Sequence, residues 1–231
     1  MAIIEINGLT KNFGSLTALD DISISLEPGR IVGLLGPNGS GKTTLIKILN
    51  GLLQPTSGSV RIKGSAPGIE SKKIVAYLPD RNALPDYMNA KQLMEMYADF
   101  FEDFDSAGAA AMIEDLGIDM EQTMKKMSKG TREKLQLCLV MARKAEVYLL
   151  DEPIGGVDPA TRDYILRTII SNYNENAVVL ISTHLISDIE SVLDEVIFIR
   201  EGRIVMSGAA DEIREEKGES IDELFREVFR C

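Results

Sequence analysis

The segment Gly36-Pro37-Asn38-Gly39-Ser40-Gly41-Lys42-Thr43-Thr44 constrains this chain more than any other. It stands between an apolar run at 31–35 and an apolar helical pattern that begins near Lys42, which is the strand, loop and helix context of a phosphate-binding loop. Glycines let backbone amides curl around a phosphate, and the following helix adds the positive end of its dipole. Lys42 is then predicted to reach the β- and γ-phosphates of a nucleotide, and the Thr43 hydroxyl to ligate Mg²⁺.

A second motif consists of an apolar strand that ends in two adjacent carboxylates, Val147-Tyr148-Leu149-Leu150-Asp151-Glu152-Pro153. Ligands of open α/β sheets bind at the carboxyl ends of the strands. We expect Asp151 to hold Mg²⁺ through water and Glu152 to orient or deprotonate an attacking water molecule. An acidic turn after a strand is common by itself, so this prediction depends on the phosphate-binding loop upstream.

Hydrophobic patterning predicts a single α/β domain over residues 1–231 with a central, mostly parallel sheet, which is a P-loop NTPase architecture. Continuous apolar runs at 31–35, 146–150 and 177–181 predict buried parallel strands. Alternating patterns predict an antiparallel N-terminal layer (2–7 and 21–26), and a helical subdomain is expected within about 81–142. A hairpin over 194–207, turning at Glu201-Gly202, and one or two amphipathic helices within 208–230 complete the predicted order.

The formal net charge of −11 argues against a nucleic-acid or anionic-lipid surface as the main partner, because such surfaces attract basic faces. The apolar runs are far shorter than the roughly 20 residues that span a bilayer. The N-terminal residues do not have the pattern of a secretory signal. We therefore expect a cytoplasmic location, with any membrane activity exerted through a partner.

The combination of motifs resembles the nucleotide-binding subunits of ABC transporters, and the resemblance covers nearly the whole chain. Phe13 falls where that family stacks an aromatic ring on adenine, and His184 falls where it has its switch histidine. Ser128-Lys129-Gly130 occupies the position of the family's signature sequence, ahead of a helix and the acidic strand. The segment Gly155-Gly156-Val157-Asp158-Pro159 matches its D-loop, where Asp158 also suits a helix N-cap.

The resemblance implies an ATPase that uses ATP and Mg²⁺ and works with separate transmembrane permease subunits on the inner face of the membrane. In the family, two such domains pack head to tail, so each ATP lies between one subunit's phosphate-binding loop and the other's signature. Ser128, Lys129, Gly130 and Asp158 would then contact ATP across a dimer of identical or paralogous chains. The form of the chain is similar to bacterial exporter subunits that act in drug or peptide efflux.

Two positions depart from the family pattern. Asp80 follows the strand predicted at 74–78, where the family usually places a glutamine. We hypothesise that its carboxylate approaches Mg²⁺ or a water bound to it, since carboxylate oxygens are good ligands for hard cations. Lys129 replaces a glycine of the signature, and its ammonium is expected either to face the γ-phosphate or to point into solvent.

The sequence leaves open one structural question, on the apolar stripe of a helix, and one functional question, on whether the chain is a transporter subunit. The apolar stripe at 93–101, with Phe104, fits the core of the helical subdomain and also fits a docking groove for a short partner helix. An ABC-type ATPase acting off the membrane is a second possible function. A P-loop kinase of small molecules is a third, although it does not explain why the signature, D-loop and histidine occur in this order.

Overall fold

A computed structural model describes residues 2–155 and 157–229, and for Ala160 the backbone alone. Its strands, numbered along the chain, are β1 (Ile4–Phe13), β2 (Leu16–Leu26), β3 (Arg30–Leu35), β4 (Ser57–Ile62), β5 (Val75–Leu78), β6 (Val147–Asp151), β7 (Val178–Thr183), β8 (Glu195–Arg200) and β9 (Arg203–Ala209). The described helices are α1 (Lys42–Leu49), α2 (Ile69–Ile74), α3 (Ala90–Phe100), α4 (Ser106–Asp115), α5 (Lys129–Met141), α6 (Pro159–Asn172), α7 (Ile186–Ile189), α8 (Ala210–Lys217) and α9 (Ile221–Val228).

The central sheet has the order β5-β6-β7-β3-β8-β9, and only β9 runs antiparallel to its neighbour. The continuous apolar runs form its middle strands, and β6 and β7 are buried along their whole length. Such runs suit strands that are covered on both faces. The carboxyl ends of β3, β6 and β7 therefore meet at one edge of the sheet, where the phosphate-binding loop and the two carboxylates lie.

A second, antiparallel sheet has the order β2-β1-β4. The sequence prediction of this layer is confirmed, but the strands predicted at 2–7 and 21–26 were too short, because β1 extends to Phe13 and β2 begins at Leu16. The sequence analysis also missed β4, which is mostly exposed and pairs with β1. Side chains of this sheet pack with α1 and one face of the central sheet in one hydrophobic cluster.

Helices α3, α4 and α5 lie between β5 and β6, within the segment where helical periodicity dominates. Side-chain caps mark where they begin: Asn89 accepts from the Gln92 amide, Asp105 from the Gly108 amide and Ser128 from the Thr131 amide. The C-terminal part also agrees with its prediction, since the β8–β9 hairpin turns at Glu201-Gly202 and two helices follow it.

The apolar stripe of α3 is mainly core. Leu93 is fully buried, and the ring of Tyr97 packs at 5.4 Å from Phe101 and 5.6 Å from Phe104 between centroids. Phe100 is the exception, with 76% of its surface exposed. No helix within the described ranges is both long enough and apolar enough to cross a bilayer.

Candidate functional site

The phosphate-binding loop leaves β3 at its buried end and enters α1 at Lys42. Gly41 has a φ of 111°, and a Cβ at that position would lie 2.6 Å from the carbonyl oxygen of Ala18. A side chain there would be strained in conformation and would also clash with backbone. The glycine is therefore required by the geometry, which places the loop directly against β2.

Lys42 is buried to 5% exposure and is folded back onto its own loop. Its ammonium donates to the carbonyl oxygens of Gly36 at 2.7 Å and Pro37 at 3.2 Å, and it lies 3.3 Å from Glu152 Oε1. A buried ammonium needs such partners because burial penalises an unpaired charge. Glu152 thus supplies the anionic partner of the buried Lys42 ammonium.

Thr43 and Asp151 form a polar network at the end of β6. The Thr43 hydroxyl donates to Asp151 Oδ1 at 3.1 Å, and the Ser182 hydroxyl of β7 donates to the same oxygen at 2.6 Å. Burial raises the pKa of the Asp151 carboxyl, while the hydrogen bonds from Ser182 and Thr43 act in the opposite direction.

The second oxygen of that carboxylate, Asp151 Oδ2, is buried and has no hydrogen-bond partner among the described residues. Buried oxygens without a partner are rare and call for an explanation such as an ion or a water. A carboxylate oxygen beside a threonine hydroxyl is a donor set that suits Mg²⁺. The residues present therefore fit the cation.

Glu152 is hydrogen bonded to His184, with 3.0 Å between its Oε2 and the Nδ1 atom. Glu152 has a φ of 51°, in the left-handed region that few non-glycine residues adopt. Its amide donates to the Ser182 carbonyl oxygen at 3.0 Å, which fixes the backbone at this point. Glu152 and His184 are thus brought together by the ends of two adjacent strands.

A cavity of ≈ 760 Å³ spans these groups, which is a size suited to a nucleotide. Several predicted site residues line it: Phe13, Asn38, Gly39, Ser40, Gly41, Lys42, Thr43, Thr44, Asp80, Lys129, Glu152 and His184. Phe13 is 47% exposed at the end of β1, with the Lys11 ammonium 4.9 Å from its ring centroid. The cavity therefore has an apolar, aromatic end and a charged end.

The residues predicted to act across a dimer lie elsewhere on the surface, except Lys129. Ser128 caps α5, Gly130 has open space around its Cα, and Asp158 caps α6 by accepting from the Thr161 amide at 3.1 Å. Lys129 lines the cavity of its own chain and pairs with Glu133 at 3.6 Å. The contacts across a dimer stay a prediction, and Gly156 of the predicted D-loop lies outside the described residues.

The sequence analysis missed three parts of this site, one of which is the start of β2, where Leu16, Thr17 and Ala18 line the cavity. Ser182, fully buried on β7, holds Asp151 in place. Glu201 and Gly202, which the sequence identified only as a hairpin turn, also line the cavity. Ser182 follows an apolar run that ends at the same sheet edge, and that pattern could have identified it. The hairpin sequence contains no feature that indicates its position at the cavity.

Comparison with known proteins shows to which family the chain belongs. The family model described as ABC transporter matches residues 19–155. An uncharacterized ABC transporter ATP-binding protein YdbJ of Bacillus subtilis is 34% identical over 87% of this chain and 68% of its own. The daunorubicin resistance ATP-binding protein DrrA3 of Streptomyces coeruleorubidus is 30% identical over 97% of this chain and 74% of its own.

A lantibiotic transport ATP-binding protein, SrtF of Streptococcus pyogenes, is 27% identical over 96% of both chains. Among solved structures, one titled as the ATP-binding subunit of an ABC transporter superposes with a TM-score of 0.88 at 24% identity, covering 99% of this chain and 100% of that one. At that identity the likeness shows the fold alone.

Proposed function

This chain belongs to the ABC transporter family as an ATPase subunit that drives transport with partner membrane proteins, and we propose how its residues bind and hydrolyse ATP. ATP lies in the ≈ 760 Å³ cavity, with its base on Phe13 and its phosphates in the loop 36–44. The observation that carries this proposal is that Thr43, which lines the cavity with Lys42 and Glu152, is hydrogen bonded to the buried Asp151, whose Oδ2 has no partner among the described residues.

Thr43 and Asp151, with Asp80 as a further candidate, would hold Mg²⁺, which would neutralise charge on the nucleotide phosphates. The chain's own groups do the rest. Lys42 exchanges its contact with Glu152 for one with the terminal phosphate, which frees the Glu152 carboxylate to take a proton from the attacking water. His184 holds that carboxylate in place through its hydrogen bond.

A mutation at Glu152 tests this assignment. Replacing Glu152 by Gln preserves shape and removes the base, so hydrolysis is expected to fall by about 100-fold or more. ATP affinity is expected to be retained or increased, because Lys42 no longer has an anionic competitor for the phosphate. Phosphate release and equilibrium nucleotide binding measure the two effects.

The matched control is Lys42→Ala, which is expected to weaken binding itself. Hydrolysis at a normal rate by the Glu152→Gln protein would contradict the role of Glu152. Equal loss of binding in both variants would show that the Glu152 side chain holds nucleotide and does not act as a base.

The proposed partner surface is a groove next to α3. A cavity of ≈ 210 Å³ is lined by Leu52, Tyr77, Tyr97, Phe101 and Arg143, and Leu52 is 53% exposed at its edge. We infer that a short helix of a membrane subunit docks here and holds the chain at the inner face of the membrane. Protection from hydrogen exchange over 97–104 that requires the co-purified membrane subunit supports this, and unchanged exchange contradicts it.

The transported compound is proposed from the relatives named for daunorubicin resistance and lantibiotic transport. We infer that this subunit serves export of a drug or peptide. Affinity purification from the native membrane, followed by efflux assays on vesicles holding the co-purified permease, tests the assignment. Uptake in place of efflux would overturn it.

A further inference from the structure

The nucleotide cavity carries a carboxylate that the proposed mechanism does not use. Glu201, at the tip of the β8–β9 hairpin, lines the same cavity as Phe13, Ala18 and the phosphate-binding loop. Its neighbour Gly202 lines it as well. Among the described residues, Asp80 and Glu152 are the other carboxylates in this wall.

The hairpin tip is a fixed part of the wall. The Gly202 amide donates to the Ser40 carbonyl oxygen at 2.9 Å, and the Gly202 carbonyl oxygen accepts from the Asp20 amide at 2.8 Å. Arg203 Nε donates to the Asp20 carboxylate at 2.9 Å. A Cβ on Gly202 would lie 2.7 Å from the Ala18 carbonyl oxygen, so the tip is packed tightly against β2.

Sheet order separates Glu201 from the other two carboxylates. Asp80 and Glu152 follow β5 and β6 on one side of β3, whereas Glu201 follows β8 on the other side. The phosphate-binding loop leaves β3 between them. Asp80 and Glu152 therefore lie on one side of the phosphate-binding loop, and Glu201 lies on the other.

A carboxylate in the wall of a polyphosphate site is repelled by the phosphates, and hydrogen bonds donated by the ligand offset part of that cost. The nucleoside supplies the donors, as ribose hydroxyls and as amino groups of the base. The hairpin tip is bonded to Ser40, in the loop that holds the phosphates, and the ribose is the part of the nucleoside next to those phosphates. The base lies farther along, at Phe13.

The backbone does not explain the acidic residue. Glu201 and Gly202 have φ values of 49° and 77°, and Lys63 and Gly64, in a turn away from the cavity, have nearly the same values of 49° and 78°. The same conformation thus accepts a lysine. The backbone conformation therefore does not require an acidic residue at position 201, and the reason for the carboxylate lies in the chemistry of its side chain.

We propose that Glu201 accepts a hydrogen bond from a ribose hydroxyl of the bound nucleotide and makes the site selective for ribonucleotides over deoxyribonucleotides. This inference rests on the nucleotide site proposed above. A site that hydrogen bonds a hydroxyl discriminates against the analogue that lacks it, because its polar group is then left unpaired.

Equilibrium binding to the full chain tests this proposal with ATP, 2′-deoxyATP, 3′-deoxyATP and GTP. The wild-type protein is expected to bind ATP roughly three- to tenfold more tightly than at least one deoxy analogue. Glu201→Ala is expected to lose that preference, while Glu201→Gln, which keeps an acceptor oxygen, retains part of it. Glu215→Ala, on α8 and away from the cavity wall, is the control and should bind like wild type.

Equal discrimination between ATP and the deoxy analogues by wild type and Glu201→Ala would overturn the proposal. A change confined to the preference for ATP over GTP would also overturn it, because the carboxylate would then read the base. Failure of the wild-type protein to bind ATP would instead contradict the proposed nucleotide site, so the two failures are distinguishable.

Discussion

At the scale of single residues, the site is organised by charges that already have partners. Lys42 has three oxygen neighbours, and Glu152 has both Lys42 and His184. Asp151 has Thr43 and Ser182 on one oxygen and, within the described part of the chain, no hydrogen-bond partner on the other. We expect a nucleotide phosphate to take over the Lys42 contact that Glu152 now makes, with little need for new side-chain ordering.

Asp80 provides a prediction at this scale. It follows β5 and lines the nucleotide cavity, and we hypothesise that it approaches Mg²⁺ or its water. Asp80→Ala is expected to raise the Mg²⁺ concentration needed for half-maximal ATP hydrolysis several-fold, and Asp80→Gln, with a neutral amide oxygen, should raise it less. Mg²⁺ titrations of phosphate release measure the effect; the same midpoint in all three proteins would contradict the role.

At the scale of elements, Arg143 joins the helical segment to the sheet. Its guanidinium makes a two-point contact with Asp103 at 2.8 and 2.9 Å and donates to the carbonyl oxygens of Lys73 and Val75, both at 2.7 Å. Phe101 covers its face at 3.9 Å. The Arg143 guanidinium thus donates hydrogen bonds both to Asp103 and to the backbone where α2 ends and β5 begins.

Truncating this side chain gives the element-scale prediction. Arg143→Met is expected to lower the free energy of unfolding by about 3 kcal/mol or more, because Asp103 and two carbonyl oxygens lose their donor in a partly buried site. The adjacent Lys144 pairs with Asp105 at 3.1 Å with a largely exposed side chain, so Lys144→Met should cost less than about 1 kcal/mol. Urea unfolding compares the two, and equal costs would show that the Arg143 contacts do not join the elements.

At the scale of the whole molecule, the predicted dimer makes one chain complete the site of another. Ser128 is the N-cap of α5, so a replacement must keep that cap. Aspartate caps a helix well but repels a γ-phosphate, whereas asparagine caps it without charge. Ser128→Asp is therefore expected to abolish most hydrolysis, and Ser128→Asn to retain more of it.

Mixing variants distinguishes contact across the dimer from contact within one chain. Lys42→Ala and Ser128→Asp chains are each expected to be inactive, but their mixed pair contains one site with an intact loop and an intact partner signature. An equimolar mixture of homodimerising chains should recover roughly a quarter of wild-type hydrolysis on symmetry grounds. No recovery, with both variants folded, would contradict pairing of this chain with itself.

Local sequence determined the features whose physics is local. The glycines and Lys42 of the loop, the carboxylates that end β6, the buried apolar strands and the cap at Asp158 each depend on neighbouring residues, so spacing and residue type were enough to predict them. Strand β4 and the full length of β1 escaped prediction because they are held by pairing with other strands, β4 with β1 and the end of β1 with β2.

The tertiary structure decided which residues from distant parts of the chain meet at the site. Ser182 reaches Asp151 because β6 and β7 are neighbours, and Glu201 joins the nucleotide wall because β8 lies beside β3. Lys129 lines its own chain's cavity because α5 packs against the end of β5. These contacts join residues far apart in the chain, and the order of strands, which sets them, is a property of the packed sheet and of no single segment.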